Sequence, residues 1–262
     1  MKIHPSAIVD PKAEIDETAE IEAFSIIGPD VKIGPGTVVG PHCVITGRTV
    51  IGANNHFFSG AQIGVLSQDL KHKAGLVGRT IIGDGNSIRE HVTVSASTMT
   101  TYDDDHRVTS IGNECLFMAY SHVAHDCHVG NRVIMANCAS LGGHVDVEDR
   151  VTIGGLSGVH QECVLGTMSF IGGLSRVAQD VVPYMIVDGN PGRCYGPNSV
   201  GLRRNGLDAA ARNRIKTMYK AMFRSDLNTT QALHEIEATV EDSEERTTFV
   251  EFVRKSIRGI TK

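Results

Sequence analysis

Apolar residues recur at every sixth position along most of this chain. Counting in sixes from Ile3, all 26 first positions up to Val177 are apolar, and most of them are β-branched. These positions are Ile3, Val9, Ile15, Ile21, Ile27, Ile33, Val39, Ile45, Ile51, Phe57, Ile63, Ile82, Ile88, Val94, Ile111, Phe117, Val123, Val129, Met135, Leu141, Val147, Ile153, Val159, Leu165, Ile171 and Val177. A period of six fits neither a helix nor a two-sided strand, and it predicts a parallel β-helix built of hexapeptides.

The hexad has a direct geometrical meaning in such a coil. One hexad forms one face of a triangular coil, so that residues n and n+18 stack on each other. The first residue should point inward, the usually small fifth residue should lie near a corner, and the frequent glycine at the second position should ease the backbone at the bends. The coils known to carry this pattern are left-handed. The expected fold class is therefore an all-β left-handed parallel β-helix.

The breaks in the pattern divide the chain. Residues 65–80 and 95–110 are polar interruptions, which we expect to be loops expelled from the coil and available for binding. We expect the β-helix to occupy residues 1–183, a Pro/Gly-rich connection to occupy 184–200, and a small α-helical C-terminal domain to occupy 201–262. Within that domain, capping residues and apolar faces predict helices at about 201–223, 229–240 and 243–258.

Composition and charge narrow the class of protein. The chain has 28 glycines, no tryptophan and 5% aromatic residues, which suits a narrow interior filled by aliphatic side chains. The net charge is −5, yet residues 196–225 contain seven basic residues and one acidic residue. Such a patch favours an anionic partner, whereas nucleic-acid binding usually recruits more positive charge overall. Six cysteines without a CxxC pair, no apolar signal core and no membrane-length apolar run indicate a reduced, cytoplasmic protein without membrane insertion.

Three histidines stand close together in "SHVAHDCHVGN", residues 121–131. This stretch alone does not distinguish metal ligands, an acid–base apparatus and surface residues of the repeat. The 18-residue coil adds more information, because it stacks His125 on Gly143 and Gln161, and Asp126 on His144. A histidine beside a glycine whose N–H is exposed is what a general base next to an oxyanion site requires.

Two other interpretations of the histidines remain open. They could simply decorate the outside of the coil, as His4 and His42 are expected to do. They could also bind zinc, as in hexapeptide proteins that resemble γ-type carbonic anhydrase, although no two histidines of this chain have the five-residue spacing of those sites. We predict no metal.

Several motifs occur together in this chain. They are "QDLK" (68–71), "AHDC" (124–127), "GGHV" (142–145), "VHQ" (159–161), "RVAQD" (176–180), "GNP" (189–191) and "GLRR" (201–204). With the hexads, they resemble the UDP-N-acetylglucosamine O-acyltransferase family over essentially the whole chain. The resemblance implies a cytoplasmic homotrimer with active sites between subunits, which transfers a hydroxyacyl chain from acyl carrier protein to the sugar 3-position in the first step of lipid A biosynthesis. It implies no other cofactor.

The resemblance also implies roles for individual residues. His125 would be the general base, Asp126 would orient it, and the N–H of Gly143 would face the oxyanion. Residues that would contact the substrates or set the acyl length are Asp69, Lys71, His122, His144, His160, Gln161, Gly173, Asn198 and Arg204. Within that last group, Asn198 and Arg204 would bind the nucleotide, and Gly173 would leave room for a longer acyl chain.

The chain departs from the family pattern at two points. Residues 95–97 read Ser-Ala-Ser where the family usually has His-Arg-Gly, and Asn205 stands where a second arginine is common. The first departure leaves open a 3-amino sugar as the acceptor. Another hexapeptide N- or O-acyltransferase is a further alternative.

Overall fold

Three parallel sheets wind around one apolar interior over most of the chain. The computed structural model describes residues 2–262, and for Asp105 it describes the backbone only. Sheet A contains β1 (Lys2–Ile3), β4 (Glu20–Ile21), β7 (Val38–Val39), β10 (His56–Phe57), β13 (Ser87–Ile88), β16 (Leu116–Phe117), β19 (Ile134–Met135), β22 (Thr152–Ile153), β25 (Phe170–Ile171), β27 (Met185–Asp188) and β28 (Arg193–Pro197). Sheet B contains β2 (Ile8–Val9), β5 (Ile26–Ile27), β8 (Val44–Ile45), β11 (Gln62–Val65), β14 (Thr93–Ser95), β17 (His122–Val123), β20 (Ser140–Leu141), β23 (Gly158–Val159) and β26 (Arg176–Val177). Sheet C contains β3 (Glu14–Ile15), β6 (Val31–Ile33), β9 (Arg48–Ile51), β12 (Arg79–Ile82), β15 (Thr109–Ile111), β18 (His128–Val129), β21 (Asp146–Val147) and β24 (Val164–Leu165).

The register of the strands confirms the 18-residue coil. Ile3 pairs with Ile21 at one end, and Val123 pairs with Leu141 near the histidines. From β1 to β26, each strand pairs with strands three positions away along the chain, so that successive strands lie on successive faces of a triangular coil. This is the parallel β-helix that the hexads predicted.

The first hexad position forms the core, as predicted. All 26 of these residues are buried except Ile3, Val9 and Ile15, which belong to the first coil and have no coil beneath them. The interior is continuous from Ala19 to Val187, so the coil is held together along its length by aliphatic contacts between neighbouring turns.

The corners differ from the prediction in one respect. In most hexads the residue that takes a left-handed backbone conformation is the fourth, and it is usually not glycine: examples are Leu156 (φ 59°) and Asp126 (φ 58°). The second-position glycines serve another purpose, because a Cβ at Gly34 would lie 2.7 Å from the backbone of Gly52 in the next coil. They permit close stacking of coils, whereas the prediction assigned them to bends.

The two interruptions are loops, but the second is not fully expelled. Because of these loops, stacked residues are more than 18 positions apart in the sequence: Ile63 pairs with Val94, and Val94 pairs with Val123. Residues 95–99 are buried beneath the first loop, and only the part around the 3₁₀ helix at Tyr102–His106 reaches solvent.

Beyond Val177 the chain adds two more strands to sheet A before the helices. In the segment predicted as a connection, β27 extends sheet A by pairing with β25, and β28 turns back antiparallel to β27. Four helices follow: α1 (Ser199–Arg204), α2 (Ala209–Phe223), α3 (Thr229–Thr239) and α4 (Glu244–Lys255). They pack around a second apolar core, and no helix of residues 2–262 is long and apolar enough to cross a membrane.

The predicted helix at 201–223 is therefore wrong as a single element. It is divided because Gly206 has a left-handed backbone (φ 87°) and the Asp208 side chain accepts a hydrogen bond from the Ala211 N–H, which begins a new helix. The other two predicted helices are confirmed, with α4 ending three residues earlier than expected.

Candidate active site

His125 and Asp126 lie at the corner that follows β17. Along a strand, neighbouring side chains point to opposite faces, but the left-handed turn at Asp126 places both on the outside of the coil. The His125 Nδ1 lies 2.9 Å from the Asp126 Oδ2. Since an ionised carboxylate can only accept, Nδ1 carries the proton and Nε2 keeps its lone pair. The imidazole is thereby held in the tautomer that a base needs.

The protein holds the Asp126 carboxylate firmly in place. Asp126 is 4% exposed. Its Oδ2 accepts a further hydrogen bond from the Thr98 N–H at 3.1 Å, and the backbone N–H of Asp126 donates to the Thr109 Oγ1. Burial alone would raise the pKa of Asp126, but the hydrogen bonds from His125 and Thr98 and the nearby His144 lower that pKa below its usual value. Asp126 is therefore an anion across the physiological pH range.

Gly143 lies directly against the ring of His125. A Cβ at this position would lie 2.4 Å from the His125 Cε1 and 2.6 Å from its Nε2, so only glycine leaves the ring where it is. Gly143 is buried, and its N–H donates to no acceptor among the residues that the structure describes. A buried amide without a partner beside the base is a suitable donor for a developing oxyanion.

His144 lies beside both His125 and Asp126. Its ring stands perpendicular to that of His125 at 5.2 Å between centroids, and its Nε2 lies 3.8 Å from the Asp126 Oδ2. The stacking of residues n and n+18 predicted that these side chains are neighbours, and the structure places His125, Gly143 and His144 together.

The first loop supplies the opposite wall. The Asp69 Oδ2 lies 4.0 Å from the His125 Nε2, and the Asp69 Oδ1 accepts a hydrogen bond from the Lys71 N–H. The resulting open groove has a volume of about 610 Å³. It is lined by Gln68, Asp69, Leu70, Lys71, His122, Ala124, His125, Leu141, Gly142, His144, Gln161 and Glu162.

His122 is a further histidine of the groove. Burial lowers the pKa of its imidazole, and the nearby His125 lowers it further. Its Nδ1 lies 2.7 Å from the Thr93 Oγ1. If the threonine hydroxyl donates, the imidazole presents its Nε2–H as a donor toward the groove.

His128 and His160 lie outside this groove. His128 belongs to sheet C, where its Nδ1 pairs with the Asp146 Oδ1 at 2.9 Å. The Nδ1 of His160 is directed instead to the Arg258 Nη2 of the C-terminal domain, at 3.1 Å. The substrate role of His160 stays a prediction that the geometry of one chain does not support.

Gly173, Asn198 and Arg204 are also remote from His125. Gly173 stacks on Gly155 at the corner that follows sheet A, a different edge of the prism. Both polar atoms of the Asn198 side chain are used within the chain, since Oδ1 caps α1 and Nδ2 donates to the Met168 carbonyl. Arg204 is exposed at the end of α1. Their predicted roles would require a second chain beside this one.

The metal interpretation rests on one cluster. One ligand atom from each of His125, Asp126 and His144 lie within 4.8 Å of one another. The Asp126 Oδ2 is already engaged by His125 and Thr98, so a bound ion would have to use the buried, unpartnered Oδ1 or replace the hydrogen bond that fixes the base. The donors fit an acid–base pair better than a metal centre.

Sequence reasoning missed the residues that support the site from behind. Thr93, Thr98 and Thr109 contact His122 or Asp126 directly. The hexad phase is lost in the second interruption, so no stacking rule could place Thr98 there. Thr93 precedes the inward Val94 and stacks on His122, so the coil register could have identified it.

Comparison with known proteins shows to which family this chain belongs. The family model described as UDP-N-acetylglucosamine O-acyltransferase, Domain 2, matches residues 180–261, and the bacterial transferase hexapeptide model matches residues 12–47 and 109–143. A curated acyl-[acyl-carrier-protein]–UDP-N-acetylglucosamine O-acyltransferase of Anaeromyxobacter sp. (strain Fw109-5) is 46% identical over 262 residues and covers 100% of both chains. The chain belongs to the UDP-N-acetylglucosamine O-acyltransferase family.

Solved structures of this family share the whole fold. The UDP-N-acetylglucosamine O-acyltransferase of Moraxella catarrhalis is 37% identical, with a TM-score of 0.94 over 100% of both chains. The UDP-N-acetylglucosamine acyltransferase of Campylobacter jejuni is 33% identical, with a TM-score of 0.91 over 99% of both chains. The predicted fold class, a left-handed parallel β-helix with a small helical C-terminal domain, is confirmed.

Proposed function

We propose that this chain transfers a hydroxyacyl group from acyl carrier protein to the 3-position of UDP-N-acetylglucosamine, the first step of lipid A biosynthesis. One observation carries the proposal: the base His125, held by Asp126, lies against Gly143, whose N–H has no acceptor among residues 2–262. The family membership and the names of the similar proteins support the same reaction.

The proposed chemistry follows from these three residues. The His125 Nε2 takes the proton of the sugar hydroxyl while that oxygen attacks the thioester carbonyl. The Gly143 N–H stabilises the negative charge on the tetrahedral intermediate, and the Asp126 carboxylate stabilises the imidazolium. When the intermediate collapses, the C–S bond breaks and the imidazolium returns the proton to the leaving thiolate. No cofactor other than the acyl carrier is needed for this sequence of steps.

Replacing the base tests this function. With UDP-N-acetylglucosamine and hydroxyacyl carrier proteins, wild-type protein should form an O-acylated sugar nucleotide of the expected mass. His125→Ala should lower kcat by at least about 10²-fold, because general base catalysis typically contributes that much. Its mass in solution and its melting temperature should stay those of the wild type. Activity of His125→Ala within tenfold of wild type would exclude His125 as the base.

The acceptor atom is oxygen in this proposal. The departure at residues 95–97 does not favour a 3-amino sugar, since these residues are buried and bonded to neighbouring strands, with Ala96 N donating to the Val65 carbonyl. The mass of the product distinguishes the two acceptors.

A chelator should leave turnover unchanged, whereas loss of activity would favour the metal interpretation of the cluster.

The acyl carrier protein is proposed to dock on the basic face of α2. A cavity of about 690 Å³ lies between β28 and this helix, and Arg212, Lys216 and Lys220 line it at successive helical turns. Lys216 and Lys220 are exposed and have no ion-pair partner among the described residues. Arg214, in contrast, is paired with Glu241 and Glu245 and is not available to a partner.

Charge reversal at α2 tests the docking face. Lys216→Glu with Lys220→Glu should raise the KM for acyl carrier protein at low salt by about tenfold, because such charges steer association. The KM for the sugar nucleotide should stay the same. The matched control is Lys12→Glu with Lys32→Glu, two exposed residues of the N-terminal coils, which changes the net charge equally but away from α2. An unchanged KM for the carrier in the α2 variant, or the same rise in the control, contradicts this docking face.

We further propose a homotrimer with a site between neighbouring chains. The corner that follows sheet A carries an exposed apolar ridge, defined by Phe24, Tyr120, Leu156 and Leu174, which are 59%, 60%, 64% and 70% exposed. Gly173 belongs to this corner, whereas His125 belongs to the next one. A ridge-to-groove contact between different edges is heterologous, and such contacts form a closed ring when the rotation between neighbouring chains is a whole fraction of a turn, as in a trimer. Unpaired cysteines and both proposed substrates fit a cytoplasmic setting.

A further inference from the structure

The second loop begins with a buried polar strap, residues 95–99. Ser95, Ala96, Ser97, Thr98 and Met99 are all at most 4% exposed, although none of them lies in the hexad core. Their backbone groups bond to both neighbours: Ala96 N donates to the Val65 carbonyl, and Ser97 N donates to the Arg79 carbonyl. Polar residues buried in this way usually serve a defined network.

Thr98 contacts both sides of the groove. Its N–H donates to the Asp126 Oδ2, the same atom that accepts the hydrogen bond from His125. Its hydroxyl forms a short hydrogen bond with the Ser67 hydroxyl of the first loop. One residue of the strap therefore joins the carboxylate that orients the base to the loop that forms the opposite wall.

The link continues from Ser67 to the groove. The Ser67 Oγ accepts a hydrogen bond from the Asp69 N–H at 3.1 Å, and the Asp69 Oδ1 accepts one from the Lys71 N–H at 2.9 Å. The Asp69 Oδ2 then lies 4.0 Å from the His125 Nε2. The chain of contacts thus closes into a ring around the reacting nitrogen.

We propose that Thr98 is a positioning residue that sets the distance between the base and the Asp69–Lys71 wall. This inference rests on the proposed function, because it assumes that the sugar nucleotide occupies the groove. The two functions of Thr98 are separable. Its N–H fixes Asp126, and its hydroxyl fixes the first loop. Removal of the hydroxyl alone should loosen the wall and leave the base oriented.

Thr98→Val tests the hydroxyl without changing the N–H. We expect the KM for UDP-N-acetylglucosamine to rise about three- to tenfold, the change that loss of one hydrogen bond produces, with kcat within about twofold of wild type. Thr98→Ser should restore the wild-type KM. The matched control is Thr100→Val in the same loop, which removes a hydroxyl bonded only to Asp104 and should leave both constants unchanged.

A double-mutant cycle identifies the partner. Ser67→Ala breaks the same hydroxyl–hydroxyl bond and also removes the acceptor of the Asp69 N–H, so the double variant Ser67→Ala/Thr98→Val should have the same KM as Ser67→Ala alone. KM effects that multiply would show that the two residues act independently and would overturn the link. An unchanged KM in Thr98→Val would overturn it as well.

Amide hydrogen exchange makes the inference testable without turnover. In Thr98→Val the amides of Asp69 and Lys71 should exchange about two- to tenfold faster than in wild type, because their acceptors are no longer fixed. If wild-type protein formed no acylated sugar, the proposed function would fail, while faster exchange would still support the structural link. Unchanged exchange at both amides would refute the link whatever the activity.

Discussion

At the scale of single residues, the site depends on one turn and one missing side chain. The left-handed conformation of Asp126 brings its carboxylate alongside His125, and the absence of a Cβ at Gly143 leaves space for the imidazole. Leu156 adopts the same conformation at another corner without any catalytic neighbour, so the coil itself imposes the turn. The chemistry therefore comes from placing histidine, aspartate and glycine at ordinary corner positions.

Gly143→Ala should reduce activity through His125 alone. The added Cβ would lie 2.4 Å from the His125 ring, so the ring has to move away from Asp126 or from the groove. We expect kcat to fall about 10- to 1000-fold, since a displacement of about 1 Å in a catalytic group has effects of this order. Steady-state kinetics measure the fall in kcat, and a melting curve measures any change in the stability of the fold.

Gly158→Ala is the matched control for this substitution. Gly158 is an exposed glycine of β23 in the same sheet as His122, and a Cβ there would meet nothing within 4 Å. Its kinetics should equal those of wild type. Wild-type kcat in Gly143→Ala would mean that the ring does not need its observed position.

At the scale of elements, cross-strand pairs add local stabilisation to adjacent coils. His128 of β18 and Asp146 of β21 stack with an Nδ1–Oδ1 distance of 2.9 Å. Their hydrogen bond raises the pKa of His128, and the weaker effect of burial lowers it. Arg132 and Glu114 form a similar exposed pair between adjacent coils, with 2.7 Å between the Arg132 Nε and the Glu114 Oε2.

Asp146→Asn should destabilise the protein only at acidic and neutral pH. Because the folded pKa of His128 lies above the unfolded value of about 6.5, the pair stabilises fully below that pH and loses its effect as the pH rises through the folded pKa. We expect a deficit of at most about 1 kcal/mol at pH 5.5, given the exposure of the pair, and none at pH 9. Urea unfolding at the two pH values measures it.

The Arg132–Glu114 pair provides the control. This pair contains no histidine, the side chain whose charge changes most readily in this pH range, so Glu114→Gln should cost the same at both pH values. A deficit in Asp146→Asn that is equal at the two pH values would show that protonation of His128 does not stabilise the pair. A direct titration of the His128 ring should also show a lower pKa in Asp146→Asn.

The hexad period predicts some elements of the structure and misses others. The hexads predicted the coil, its core and the stacking of His125 on Gly143, because each depends on a period that continues through the segment. The prediction fails where the period stops. The buried strap that contains Thr98 reads as a polar loop, and the break between α1 and α2 depends on Gly206 and a cap at Asp208, which apolar spacing does not reveal.

At the scale of the whole molecule, the prism separates residues that the family resemblance assigns to one site. The groove with His125 lies on the corner after sheet B, and Gly173 lies on the corner after sheet A. Neither periodicity nor stacking within one chain can bring them together. A neighbouring chain could do so, because the apolar ridge and the open groove lie on different edges of the prism.

If the proposed trimer forms through the ridge, substitutions there should separate its chains and remove activity together. Leu156→Asp combined with Leu174→Asp places two charges on the proposed interface, where burial of an unpaired charge is costly. Both residues are exposed in the single chain and have left-handed backbones that aspartate tolerates, so the coil should stay folded. Wild-type protein should have a mass near 85 kDa by light scattering, three times the 28.2 kDa of one chain, and the variant should have the mass of one chain.

Activity then shows whether the interface forms the site. Leu156 and Leu174 lie on a different corner from His125, so their loss should not affect a site contained in one chain. We therefore expect the variant to lose activity at low protein concentration and to regain part of it as concentration increases, because association is restored by mass action. Ile257→Asp, at a fully exposed apolar residue of the C-terminal domain, should change neither mass nor activity. A fully active single-chain variant would show that the groove around His125 is complete without a neighbour.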